Sequence, residues 1–164
     1  MYRDAGDHAR LPQFFNTLGV ADDFDGRFDL LVIHVHLLIR RLRGLSNGAK
    51  KAQQHLFDVF IGDLDQGLRM SGVGDIGIGH RVKKMTHAYY GRAVAYDEAL
   101  DGGDHQMLVS ALHRNLFRER DVRAASIETM ASYIEHQDRR LAALNDQDLL
   151  EGVGLFEQPE ASAA

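Results

Sequence analysis

FDLLVIHVHLLIRRLR, Phe28 to Arg43, is apolar at nearly every position until its arginines begin. Two structures bury such a run: a strand over Leu30 to Val35, or a helix surrounded by other helices. The run is too long for a strand without a turn signal. Arg40, Arg41 and Arg43 suit the last turn of a helix, where free carbonyls favour cations. The stretch is therefore expected to form the central helix of an all-helical bundle. Its apolar part, Leu30 to Ile39, is about half the ~20 residues that span a bilayer, and it contains His34 and His36, so no membrane span is expected.

The segments on either side repeat the helical pattern. Upstream, Pro12 suits the first turn of a short helix carrying Phe14, Phe15 and Leu18, with Gly19 as its stop and ADDFDG as a turn-rich connection. Downstream, Leu56, Phe57, Phe60, Ile61, Leu64 and Leu68 recur at three- and four-residue steps between Lys50 and Met70, with Asp58, Asp63, Asp65 and Arg69 largely elsewhere around the cylinder. A further helix, marked by Val82, Met85, Tyr89 and Tyr96, runs to Leu100 and is broken by Asp101-Gly102-Gly103. Two more are expected near His105 to Arg118 and Val122 to Leu144. The fold class is all-α: a single compact bundle of about six helices over residues 1–156, followed by a flexible tail over 157–164.

Composition narrows the functional classes. The 164 residues suffice for one core, and 45% apolar with 26% charged residues describe a globular chain. The absence of cysteine excludes disulfides and thiolate metal sites, and it agrees with a reducing compartment. A formal charge of -5 argues against a uniformly basic coat for duplex DNA, although it permits a local basic patch.

One such patch follows four glycines. SGVGDIGIGHRVKKM, Ser71 to Met85, contains Gly72-Val-Gly74-Asp-Ile-Gly77, the spacing of a dinucleotide loop. That loop needs a strand before it, whereas the preceding element here is a helix, and no Lys-Ser or Lys-Thr follows as in a Walker loop. The structural alternative is that Gly72 and Gly74 supply positive backbone angles at a helix stop, while Gly77 and Gly79 let the chain pass close to the bundle. Arg81, Lys83 and Lys84 then fall in the first turns of the next helix. There the dipole disfavours each positive charge by about 0.3–1 kcal/mol, with Asp75 offsetting part. Folding gains little from this placement. Either the cations form an ordinary solvated face or they meet a partner rich in anionic or carbonyl groups.

MSGVGDIGIGHRVKKM, preceded by LFDVFIGDLDQGLR and followed by YYGRAVAYDEAL, closely resembles the ubiquinol-cytochrome c chaperone family, as does DGRFDLLVIHVHLLIRRLR upstream. The resemblance extends over roughly Pro12 to Leu144. Its matching positions are Asp25, Gly26, Arg27, Phe28 and Asp29, then Gly72 to Asp75, Gly77 and Arg81 to Met85, then Tyr90, Gly91, Arg92 and Tyr96. It implies an all-helical, non-enzymatic assembly factor for the quinol-oxidising cytochrome bc complex, acting on newly made cytochrome b. In mitochondrial relatives this work involves a ribosome and a small partner protein. The resemblance implies no catalytic residue, no metal and no cofactor. The short N-terminus, without an organelle presequence, resembles that of a bacterial member, for which a cytoplasmic place, free or peripheral on the inner membrane without spanning it, is implied. The expected partner-binding residues are Asp75, Arg81, Lys83, Lys84, Tyr90 and Arg92, beside an apolar groove that shelters a client segment.

The remaining chemistry-bearing residues support a weaker alternative, a small helical ligand-binding protein or enzyme using haem or an anionic metabolite at the glycine-rich corner. His34 and His36, two apart on a helix, point to different sides and read as hydrogen-bonded core residues. His80 and His87 share a face two turns apart, too far for one small ion, and Met85 or Met107 would have to join a histidine around haem. Asp65 and Arg69, four apart, read as an ion pair on a helix face. No G-x-S-x-G or H-E-x-x-H motif occurs. Tyr89 and Tyr96, seven apart, share a stripe from which Tyr90 is rotated by about 100°, which makes Tyr90 the exposed one.

Overall fold

A computed structural model describes residues 1–45, 49–70 and 74–159, apart from the side chains of residues 49, 75 and 76. The described residues form eight helices and no strand: α1 (Tyr2–His8), α2 (Pro12–Asn16), α3 (Phe24–Arg43), α4 (Ala49–Met70), α5 (Asp75–Gly102), α6 (His105–Asn115), α7 (Ala124–Ala143) and α8 (Asp146–Glu151). The six expected helices are present. The short α1 and α8 are additions, each too brief to show a clear apolar period.

Helix α3 is the axis of the bundle and packs against α1, α4 and α7. Leu30, Val32, Ile33, Val35, Leu37, Leu38 and Leu42 are all buried, which explains the near absence of polar positions in this stretch. Burial of each such side chain contributes about 1.5–3 kcal/mol. The helix starts earlier than expected. Asp23 caps it by accepting from the Gly26 N–H at 2.8 Å, so Phe24, Asp25 and Gly26 are helical rather than part of the turn. Gly26 is required there, since a Cβ would lie 2.0 Å from the Ala21 carbonyl oxygen.

Helix α4 turns Leu56, Phe60, Leu64 and Leu68 inward, one residue per turn. Helix α5 is about 42 Å long at 1.5 Å per residue. It packs between α4 and α6, and its buried stripe runs through Ile78, Tyr89, Ala93, Tyr96 and Ala99. Gly103, at φ 60°, ends it, with the Asp104 N–H returning to the Ala99 carbonyl and the Gly103 N–H to that of Leu100.

Helix α6 ends at Asn115, earlier than expected, because Arg118 and Glu119 take left-handed φ values of 54° and 56°. Such residues cost about 1–3 kcal/mol each unless held. Arg118 is held: its guanidinium bonds Asp29 at 2.9 and 3.1 Å and Asp25 at 2.9 Å.

Within the expected flexible tail, residues 157–159 lie against α7. Glu157 bonds Gln137 through its backbone N–H and carbonyl, and its carboxylate accepts from Arg140 and pairs with His136, while Pro159 is buried. Local sequence cannot register these contacts because the partners lie on α7. Residues 160–164 lie outside the described residues.

Candidate functional site

The corner between α4 and α5 differs from its expected geometry. Among the described residues no strand enters it, as anticipated, since α4 runs to Met70. Gly74, however, sits at φ -64° as the N-cap of α5, so it supplies no positive backbone angle. Gly77 and Gly79 are helical and exposed, and a Cβ on Gly79 would meet nothing within 4 Å, so no close approach explains that residue. The reason is that the apolar stripe of α5 extends back to Ile78, which is buried, and the helix therefore starts at Asp75. Gly72 and the side chain of Asp75 lie outside the described residues. With α5 starting there, Arg81, Lys83 and Lys84 stand beyond its first turn, where the dipole penalty has fallen away.

All three cations are exposed, and none has an ion pair or side-chain hydrogen bond with a described residue. They do not form one cluster. At 100° per residue, Lys83, His87, Tyr90 and Val94 follow a single outward stripe, while Arg81 lies about 180° around the helix from Tyr90. Tyr90 and Val94 are 56% and 57% exposed, confirming that Tyr90 faces outward while Tyr89 and Tyr96 are core residues.

Arg92 departs from the expected face. Its guanidinium is turned inward, 2.8 Å from the fully buried carboxylate of Asp29 and 5.8 Å over the Phe28 ring, and it also bonds the Ala88 carbonyl at 3.2 Å. Burial raises the Asp29 carboxyl to about 6 in spite of Arg92 and Arg118 beside it. Arg92 is thus a counter-ion to Asp29 inside the bundle. Its neighbours in sequence gave no sign of this, because Asp29 is on α3.

The exposed stripe borders an open cleft of about 330 Å³ between α3, α4 and α5. Phe57, Tyr89 and Tyr90 form one wall, their ring centroids 5.1 to 5.6 Å apart, and Arg43 and Lys50 stand at the rim. Lys50 has no ion pair with a described residue, and Arg43 bonds Asp97 at 2.6 Å while remaining 47% exposed. Asp97 also receives His36 at 3.0 Å and Arg40 at 3.1 Å. Burial alone would raise its carboxyl, but His36 and Arg43 outweigh that and hold it well below the usual carboxylate range. The cleft therefore presents aromatic surface under a cationic rim. No local motif marks this cleft, because its residues come from three helices.

The histidines behave as core residues where that was expected. His34 donates from Nδ1 to the Leu30 carbonyl at 2.7 Å, so Nε2 accepts from the Tyr133 hydroxyl at 2.8 Å. Burial drives its imidazole down to about 3 and keeps it neutral. His36 points the other way, toward α5. Among the described residues no group of three or more His, Cys, Asp or Glu is placed to hold a metal ion, and no helix is long and apolar enough to cross a membrane. The Asp65 to Arg69 pair is present at 2.6 Å.

An all-α bundle with an aromatic cleft beside an outward cationic helix has the geometry of a protein-binding domain. The family model described as ubiquinol-cytochrome C chaperone matches residues 16–156, and the chain belongs to that family. The chain is 25% identical over 150 residues to mouse ubiquinol-cytochrome c reductase complex assembly factor 1, and 23% identical over 150 residues to the Xenopus laevis protein of that name. These matches cover 92% of this chain with 50% of the mouse protein and 74% of the frog protein, so the chain spans about half the length of its mouse relative. The crystal structure of the Cbp3 homolog from Brucella abortus superposes with a TM-score of 0.82 at 31% identity, covering 92% of this chain and 83% of that one.

Proposed function

We propose that this protein is a non-enzymatic chaperone that assists assembly of ubiquinol-cytochrome c reductase by holding newly made cytochrome b through protein-protein contacts. The observation that carries the reading is the outward stripe of α5. In a chain of this family, it carries Lys83 on the same stripe as the exposed Tyr90 and Val94, and neither Lys83 nor the neighbouring Lys84 has a carboxylate of its own among the described residues. The names of the mouse and frog relatives, assembly factors for the same complex, support it. The cations pair with acidic loops of the client, while the adjoining apolar surface shelters its uncovered side chains. Arg81, on the opposite flank of α5, serves a second contact, for which the ribosome or a small partner protein is the natural occupant. The chaperone works at the inner-membrane surface from the cytoplasmic side without spanning the bilayer.

The test is affinity purification of the tagged protein from a strain that makes the complex, with cytochrome b quantified by mass spectrometry. Enrichment that falls with the double substitution Lys83→Glu and Lys84→Glu is expected, together with loss of assembled complex when the gene is deleted. A purification that never enriches cytochrome b, or a deletion strain with a normal complement of the complex, overturns the reading.

A further inference from the structure

The cleft between α3, α4 and α5 carries more chemical information than an apolar groove does. Its wall is aromatic: Phe57 packs on Tyr89 at 5.1 Å and on Tyr90 at 5.6 Å, and Tyr90 is left 56% exposed. Its volume, about 330 Å³, admits one large side chain. Its rim is cationic, with Arg43 and Lys50 lining it and Lys83 two turns upstream of Tyr90 on the same stripe of α5, about 10 Å along the helix.

The nearby carboxylates do not cancel this charge. Asp97 is already paired with His36, Arg40 and Arg43, and Asp58, which accepts from the Gln54 amide at 2.7 Å, forms no ion pair with Lys50 or Lys83. Lys50 and Lys83 therefore stand ready for an external anion.

From this juxtaposition we infer that the cleft binds a protein segment with one aromatic or large aliphatic side chain flanked by acidic residues. The side chain enters against Phe57, Tyr89 and Tyr90, and the flanking carboxylates meet Lys50 on one side and Lys83 on the other. A simple apolar helix leaves both lysines unpaired, and a polyanion lacking an apolar anchor leaves the aromatic wall in water. Charge complementarity and the aromatic wall together select the acidic, singly anchored segment. The inference deepens the chaperone reading and rests on it, naming the chemistry of the segment held.

The chain contains no tryptophan, so a tryptophan in a synthetic peptide reports its own burial. Three peptides serve as probes: a Trp-Leu core with two glutamates on each side, the same core with lysines in place of the glutamates, and the glutamate peptide with only one Trp, placed at its end, and serine for both core residues. The full-length protein is expected to shift the emission of the first peptide to shorter wavelength and to bind it at least tenfold more tightly than the other two. Tyr90→Ala should weaken it about tenfold. Lys50→Glu should reverse the preference between the acidic and basic peptides, which loss of folding cannot do.

Equal binding of all three peptides, no emission shift with the first, or an unchanged preference in Lys50→Glu overturns the inference. If the peptides fail while cytochrome b still co-purifies, the cleft assignment falls and the chaperone reading stands. If peptide binding follows the expected pattern while cytochrome b never co-purifies, the chaperone reading falls instead.

Discussion

Asp29 of α3 and Arg92 of α5 face each other at 2.8 Å, the carboxylate fully buried and the guanidinium 13% exposed. With Arg118, which reaches the other carboxylate oxygen, they tie three elements together around a charge that burial alone would expel. Removing one partner leaves the other charge stranded. Arg92→Met is therefore expected to destabilise the fold by about 3–5 kcal/mol in urea titrations. The sign of the accompanying pH effect follows from Asp29, raised from 3.8 to about 6. The folded chain holds that proton more tightly than the unfolded chain does, so the stability contributed by this group is largest below about 4 and is lost as pH rises through about 6. Replacing Asp29 by Asn should remove that component from the pH profile.

The outward lysines should behave in the opposite way. Lys83→Glu with Lys84→Glu touches no described ion pair, and the melting transition should stay within about 0.5 kcal/mol of the parent. Unfolding of this variant, read by circular dichroism, would assign these lysines to structure rather than to a partner.

Gly26 tests the start of the central helix. Its missing Cβ is what allows the Ala21 carbonyl to lie where a methyl group would be, at 2.0 Å. Gly26→Ala should cost about 1–3 kcal/mol or more through displacement of the α2 to α3 connection, measured by chemical denaturation. Gly79→Ala, where no atom stands within 4 Å, should instead stabilise α5 by several tenths of a kcal/mol to about 1 kcal/mol.

His105 joins α6 to α7 by donating to Glu128 at 2.7 Å and Glu135 at 2.8 Å, which requires the doubly protonated ring. Hydrogen bonds to Glu128 and Glu135 raise its imidazole above the ordinary 6.5. The stability it contributes is fully present below that ordinary value and is lost as pH rises through the higher folded value. Solvent screens the site, so the contribution is about 0.5–1 kcal/mol. The difference in melting temperature between the parent and His105→Gln should shrink between pH 6 and pH 9, and a constant difference would refute this role.

The His34 to Tyr133 bond links α3 to α7 inside the core at 2.8 Å. Tyr133→Phe leaves His34 Nε2 without a donor in an apolar setting, and a loss of about 1–3 kcal/mol is expected in denaturant titrations.

The sequence by itself determined six of the eight described helices, because the period of apolar residues is a local property. Leu56, Phe60, Leu64 and Leu68 announce α4, and the run from Leu30 to Leu42 announces an element buried on all sides. It also determined the family, through motif residues legible in a single stretch, and the exposure of Tyr90, through its rotation away from the Tyr89 to Tyr96 stripe. Tertiary structure alone decided what the charges do. Arg92 and Lys83 look alike in sequence, yet one meets Asp29 in the interior and the other faces outward, because helix packing brings α3 to only one side of α5. The same holds for the docking of Glu157 on α7 and for the cleft built from α3, α4 and α5. Periodicity tells which face of a helix is apolar, but a side chain's electrostatic partner depends on residues distant in the chain, and only the packed molecule brings them within reach.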